Sequence, residues 1–167
     1  MSSLRSEALG SLHERGGFHC GVAELGDYLV RQASQDVRRR IAAVFVFVTE
    51  EAPKRILGYY TLSSFAICTT ELPDQVMRKL PRYPTTPATL IGRLARSLDA
   101  PGTGGLLLSD ALKRILASSV EVASALVVVE AKGSEAVAFY QKFGFIVFKD
   151  NPRKLFLPMQ TIAAAAR

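Results

Sequence analysis

Apolar residues along this chain change their spacing from one segment to the next, and the spacing predicts the elements. Val22, Leu25, Leu29 and Ala33 recur at helical intervals and stop at the run Arg38, Arg39, Arg40, which predicts an amphipathic first helix. Before it, Phe18 to Cys20 reads as a short strand or extended lead-in. Ile41 to Thr49 and Ile56 to Ala66 are rich in β-branched and aromatic residues and flank a polar turn with Pro53 and Lys54, the pattern of an antiparallel hairpin. Leu72 to Leu80 suits one short helix, and Pro81, Pro84 and Pro87 keep the next stretch extended and irregular, a candidate substrate edge.

Thr89 to Ala95 is a further strand, leading through Arg96 to Pro101 into a glycine-rich segment and a helix over Leu106 to Ser118. That helix buries Leu108, Ala111, Leu112, Ile115 and Leu116. Ala125 to Glu130 is nearly continuous in apolar residues, as a strand buried on both faces requires, so the sheet is expected to be mixed. Ser134 caps a helix with Ala136, Phe139, Tyr140 and Phe143 at i, i+3, i+4 and i+7, and Gly144 suits its C′ position. Phe145 to Phe148 and Leu155 to Leu157 form a last hairpin around Asn151 and Pro152. Met159 to Arg167 is either a terminal helical turn or a frayed tail, and no internal repeat is present.

Length and composition narrow the class. The 167 residues, 49% of them hydrophobic, suit a single domain spanning 1–167, with a core over about 18–157. No run approaches the ~18 apolar residues of a membrane span. Met1 to Gly17 is too polar and too mixed in charge for a signal peptide, so a cytoplasmic protein is expected. Cys20 and Cys68 lack metal-ligand spacing, and with only His13 and His19 beside them neither a metal site nor a disulfide scaffold is expected. Cys20 reads as a small buried hydrophobe and His19 as a surface or strand-edge residue. The net charge of +6 favours an acidic partner: nucleic acid, a phosphorylated cofactor or an acidic protein.

Two segments carry candidate chemistry. Gly102, Thr103, Gly104 and Gly105 open a helix, where converging backbone N–H groups and the helix dipole favour a phosphate or pyrophosphate. Tyr140, on another helix, offers a phenol that is protonated at neutral pH because its ordinary pKa is about 10. Its spacing with Ala136 and Phe143 equally fits a core aromatic.

The element order and several residue blocks resemble the GNAT superfamily of acetyl-CoA dependent N-acetyltransferases, and within it the acetyltransferase toxins of bacterial type II toxin–antitoxin systems. The blocks are Phe18, Cys20 and Gly21 with Leu25, Asp27, Tyr28 and Leu29; Gly58, Tyr59 and Tyr60; Ile91 to Ala95; and Ala138 to Phe145. The resemblance implies an α/β GNAT fold, a mixed central sheet flanked by helices. It further implies transfer of acetyl from acetyl-CoA to the α-amino group of an aminoacyl-tRNA, which blocks translation. Leu94, Ala95 and Arg96 with Gly102 to Gly105 would hold the cofactor, Tyr140 would act as acid, and Arg38, Arg39, Arg40 and Arg93 would meet tRNA. The implied partners are a ribbon-helix-helix antitoxin and a second copy of the chain. Other outcomes of the same fold are acetylation of a small amine or protein, or a non-catalytic binding module.

The chain departs from the family pattern at two points. Asp99 stands where the cofactor loop usually begins with a basic or amide residue, and a carboxylate there repels a pyrophosphate unless it turns outward. Ala95 runs directly into Arg96, Ser97 and Leu98, a link two residues shorter than the usual one. Arg96 is either a phosphate contact that compensates or a solvated arginine at a strand end.

Overall fold

A computed structural model describes residues 3–167. The strands are β1 (Leu4–Ala8), β2 (Ala43–Thr49), β3 (Gly58–Cys68), β4 (Thr85–Arg96), β5 (Leu126–Glu130), β6 (Ile146–Phe148) and β7 (Asn151–Pro158). The helices are α1 (Ala23–Arg31), α2 (Ala33–Arg38), α3 (Asp74–Met77), α4 (Gly104–Ser118), α5 (Ser134–Lys142) and α6 (Met159–Ala165), with a 3-10 turn at Thr69–Glu71. The sheet is seven-stranded in the order β1-β2-β3-β4-β5-β7-β6. It is mixed: β4 and β5 run parallel, Ala88 beside Leu126 and Ile91 beside Val129, whereas β1–β2, β2–β3, β5–β7 and β6–β7 are antiparallel. The residues group into two compact units, one of the chain up to Ser63 with Gly92–Ala111, the other of Ser64–Ile91 with Leu112–Arg167.

In the first unit the core lies between α1 and the inner strands, with Phe18, Leu25, Tyr28, Leu29, Val44, Val46, Val48 and Tyr59 buried together. Consecutive residues of a strand point to opposite faces, so Tyr59 and Tyr60 face opposite ways. The Tyr59 hydroxyl donates to the Leu25 carbonyl of α1 at 2.6 Å, and the Tyr60 hydroxyl donates to the Asp110 carboxylate of α4 at 2.6 Å. Gly58, beside them, permits close approach: a Cβ there would lie 3.2 Å from the Ala95 carbonyl oxygen and 3.3 Å from Leu107. In the second unit Ile67, Leu72, Ala88, Leu126, Val128, Phe148 and Phe156 form the core. The first four residues of β5 are all buried, as a strand covered on both faces requires.

Several expectations need correction. Phe18 to Cys20 is not a strand. Phe18 is apolar because its ring packs edge-on against Tyr59 at 5.5 Å, and the segment joins no sheet ladder. The first strand is instead β1, whose sequence Leu-Arg-Ser-Glu-Ala lacks clean alternation, since it lies at the sheet edge and pairs only with β2. The first helix breaks at Gln32 into α1 and α2. The short helix over Leu72 to Leu80 contracts to the four residues of α3. Pro87 lies within β4, where its carbonyl accepts the Ala125 N–H at 2.9 Å and its missing donor costs no ladder bond on that side. Gly133, not Ser134, is the N-cap of α5, with no side-chain cap bond. Phe145 is buried but precedes β6, and Phe143, in the last turn of α5's apolar pattern, is 39% exposed. Gly144, at φ 93°, takes the left-handed C′ position expected of it. The chain end is helical, as α6.

Among the described residues no helix is long and apolar enough to cross a membrane, and no cluster of three or more His, Cys, Asp or Glu could hold a metal. The contact at Gly58 generates a prediction. Gly58→Ala places a methyl group against a backbone oxygen and is expected to cost about 1–3 kcal/mol of stability. Urea denaturation against Gly16→Ala, where a Cβ meets nothing within 4 Å, is the check. Equal midpoints for the two variants would mean that β3 and β4 have slack there.

Candidate active site

The polypeptide between β4 and α4 builds its own turn. Ala100 N–H bonds the Ser97 carbonyl at 3.1 Å, Asp99 N–H bonds the buried Ser97 hydroxyl at 3.1 Å, and the Thr103 hydroxyl donates back to the Ala100 carbonyl at 2.7 Å. Gly102 has φ 80°, a conformation that costs a residue with a Cβ roughly 1–2 kcal/mol. Gly104 and Gly105 are not loop residues, as the sequence suggested, but the first two residues of α4. The Leu107 N–H bonds the Thr103 carbonyl at 3.0 Å. The N–H groups of Gly104, Gly105 and Leu106 therefore precede the helical ladder. Because the Thr103 hydroxyl donates backward, it leaves those N–H groups and the positive end of the helix dipole suited to an external acceptor.

Asp99, the residue that should repel an anion there, is turned to Arg55, with guanidinium nitrogen and carboxylate oxygen 2.8 Å apart. The two are 44 positions apart in the chain, and no local sequence signal pairs them. Leu94, Ala95 and Arg96 end β4. The parallel ladder with β5 stops at Ile91 and Val129, so this end of the strand has no place in that ladder. Arg96 is half-buried, and its guanidinium donates to the Ser97 carbonyl at 3.2 Å. Leu94, Ala95, Arg96, Gly102, Thr103, Gly104 and Gly105 all lie in the first unit.

The four arginines assigned to RNA separate into two environments. Arg38 ends α2, Arg39 is its C-cap and Arg40 follows at φ 59°; all three are exposed. Arg93 is half-buried, its guanidinium carbon 3.6 Å from the centre of the Tyr28 ring. The Tyr28 hydroxyl in turn donates to Asp36 at 2.7 Å. Hydrogen bonds from Gln32 and Tyr28 hold the Asp36 carboxyl below its usual pKa. This Arg93–Tyr28–Asp36 stack escaped the sequence reading because its members come from three elements. Cys20 is half-buried with its thiol directed to the Val22 carbonyl, and His19 is exposed.

Tyr140 belongs to the second unit. Its ring is 8% exposed between Phe139, at 5.2 Å, and Phe145, at 5.3 Å. Loss of hydration pushes its pKa up to about 12. Among the described residues no fully buried side-chain oxygen lacks a hydrogen-bond partner. Among the described residues the Tyr140 hydroxyl has no hydrogen-bond partner, so it must touch solvent. A buried ring with an open, protonated hydroxyl is equipped to donate a proton to something that arrives.

No protein-family model matches the chain. Among curated proteins it is 30% identical over 159 residues to a probable toxin TacT of Sinorhizobium fredii, covering 90% of this chain and 87% of that one. It is also 30% identical over 149 residues to a tRNA-acetylating toxin of Mycobacterium tuberculosis, covering 88% of this chain and 87% of that one. Among solved structures, a tyrosine-to-phenylalanine mutant of KacT superposes with a TM-score of 0.90 at 27% identity, over 97% of this chain and 98% of that chain. AtaT complexed with acetyl-methionyl-tRNA gives 0.90 at 27% identity, over 99% and 100%. With this extent of identity along nearly its whole length, on a mixed sheet and helices laid out as in KacT and AtaT, the chain belongs to the GNAT-type acetyltransferase toxins that include TacT.

Proposed function

We propose that this protein transfers the acetyl group of acetyl-CoA to the α-amino group of an aminoacyl-tRNA and so blocks translation. The observation that carries the reading is the likeness, over nearly the whole chain, to a tRNA-acetylating toxin and to AtaT in complex with acetyl-methionyl-tRNA. A related structure, AtaTR bound with acetyl-CoA, supports the donor: it superposes at a TM-score of 0.84 with 26% identity.

The donor set at the start of α4 fits the pyrophosphate of acetyl-CoA, which supplies an acetyl thioester. Gly104, Gly105 and Leu106 present N–H groups outside the helical ladder, Gly102 admits the turn, and Asp99 is neutralised by Arg55. One backbone N–H from the Leu94–Ala95 strand stabilises the negative charge that develops on the thioester oxygen. As the amine nitrogen bonds the acetyl carbon and the carbon–sulfur bond breaks, Tyr140 gives its proton to the departing sulfur, and the surplus amine proton goes to solvent. An aminoacyl ester has a less basic amine than the ordinary α-amino pKa of about 7.7 to 8.0, so part of it is neutral near pH 7 and no side-chain base is needed. Arg38, Arg39 and Arg40 contribute positive surface for the RNA, and Arg93 does so from its seat on Tyr28.

The reading extends to one 1–167 domain working in the cytoplasm as a homodimer, restrained by an antitoxin with a ribbon-helix-helix DNA-binding end. The KacTA–DNA complex, at a TM-score of 0.81 and 26% identity, supports an antitoxin partner.

Transfer of label from acetyl-CoA to a pool of charged tRNA tests the proposal. Tyr140→Phe is expected to lower kcat by about 10²- to 10⁴-fold, the usual contribution of a positioned acid. Label on free polyamines or protein with none on charged tRNA would overturn the substrate. Because Tyr140 keeps its proton until about pH 12, the rate should rise with pH as the amine loses its proton and show no Tyr140-dependent fall below about pH 10. A falling limb near neutrality that Tyr140→Phe abolishes would contradict the role. Binding to tRNA should weaken steeply between 50 and 200 mM salt, by roughly 10-fold or more for a handful of phosphate contacts. A flat salt response would remove the arginines from the interface.

A further inference from the structure

We propose that the groove leading into β4 is a stacking platform for an unpaired nucleotide of the RNA substrate, with Tyr83 supplying the aromatic face and Arg78 and Arg82 the charge for the adjoining phosphates. The inference rests on the function proposed above and locates part of its RNA recognition in the second unit.

The groove has a volume of 480 Å³, within the range of small-molecule sites, and its lining includes Thr70, Met77, Arg78, Leu80, Arg82 and Tyr83. Tyr83 is 69% exposed. No aromatic or cationic group covers its ring among the described residues. An exposed aromatic ordinarily loses freedom when it stacks, which weakens binding, but here the backbone beneath the ring is already fixed. Pro81 and Pro84 set the chain direction on either side, and the Tyr83 N–H closes a tight turn on the Pro81 carbonyl at 2.9 Å. Thr69, itself buried, clamps the turn twice: its hydroxyl donates to the Tyr83 carbonyl at 2.7 Å, and its N–H bonds the Pro84 carbonyl at 3.0 Å. With its proton committed to Tyr83, the Thr69 oxygen accepts from the Thr86 hydroxyl at 2.7 Å, which anchors the clamp to β4. The ring is therefore presented on a preorganised loop, the arrangement that keeps the entropy cost of stacking low.

The charge carried by residues 78–84 is of one sign. Arg78, Lys79 and Arg82 are all exposed, and none makes an ion pair among the described residues. No carboxylate occurs between Arg78 and Pro84. The nearest acid along the chain, Asp74, holds Lys149 at 3.0 Å. A stacking face beside exposed guanidinium groups is the composition of a single-stranded nucleic-acid site, where each stacked base contributes about 1–3 kcal/mol. A groove built for an apolar peptide would not place two arginines, Arg78 and Arg82, in its lining.

The test measures binding of the full chain to uncharged tRNA and to the same tRNA trimmed of its unpaired 3′ nucleotides. Tyr83→Ala should weaken binding of intact tRNA by roughly 5- to 100-fold and leave binding of the trimmed RNA unchanged, while Tyr83→Phe retains wild-type affinity. The clamp grips Tyr83 and Pro84 by their backbone carbonyls, so the alanine variant keeps the loop; an unchanged melting temperature verifies this. Equal loss on intact and trimmed RNA, or no loss on either, would overturn the platform. So would intact RNA binding with weakened capture of an acidic peptide, which would assign the groove to a protein partner. Acetyl transfer to charged tRNA by the wild type, measured separately, distinguishes failure of the platform from failure of the substrate reading.

Discussion

Gly58, Tyr59 and Tyr60 set the geometry on which the first unit depends. A strand offers alternate residues to opposite faces, and here each face receives a tyrosine long enough to hydrogen-bond a helix beyond it. Tyr59 reaches the Leu25 carbonyl in α1, and Tyr60 reaches Asp110 in α4. Gly58 removes the side chain that would separate β3 from the Ala95 carbonyl and from Leu107. The first half of α4 is thus located by two contacts from one face of one strand, Gly58 on Leu107 and Tyr60 on Asp110. That matters because an anion site made of backbone N–H groups has no side chain to adjust, so its accuracy comes from where the helix is placed.

Three tyrosines are pushed toward high pKa by burial, and what each hydroxyl does separates structure from chemistry. Tyr59, deep in the core, donates to a carbonyl, and Tyr28 donates to Asp36 while its ring carries Arg93. Both protons are spent inside the protein. Tyr140 has an equally sheltered ring but no internal acceptor. Desolvation without a partner keeps the proton on oxygen and leaves it available, a combination unfavourable for folding and useful for protonating a leaving sulfur.

How much of this was legible in the sequence follows from how local each signal is. The periodicity of α1, the β-branched run of β2 and the apolar run of β5 all report burial of their own residues, and the structure follows them. β1 was illegible because an edge strand carries polar residues and is recognised only by its partner β2. Phe18 misled in the opposite sense, since a plug against Tyr59 looks like a strand residue when its neighbours are not in view. The glycine-rich turn at Gly102 was readable from residue type, and, in the second unit, Tyr140's burial from its spacing. Phe143 shows the limit of that spacing rule, because the same helical stripe runs out to an exposed last turn. The Arg93–Tyr28–Asp36 stack and the Asp99 partner are long-range and left no periodic trace.

Asp99 shows how a sequence departure can leave a site's electrostatics intact. An exposed pair such as Arg55–Asp99 contributes only about 0–1 kcal/mol to stability, so its significance is directional. The turn from Ser97 to Thr103 is built from Ser97 and Thr103 side-chain bonds and from backbone, none of which uses the Asp99 carboxylate. The carboxylate is therefore free to face away, and Arg55 both aims it and cancels its charge. On the proposed reading, a pyrophosphate at the start of α4 meets a paired Asp99 and not a lone carboxylate. The positive field of the helix terminus then acts without a competing anion, and a basic residue at position 99 is not required to produce it.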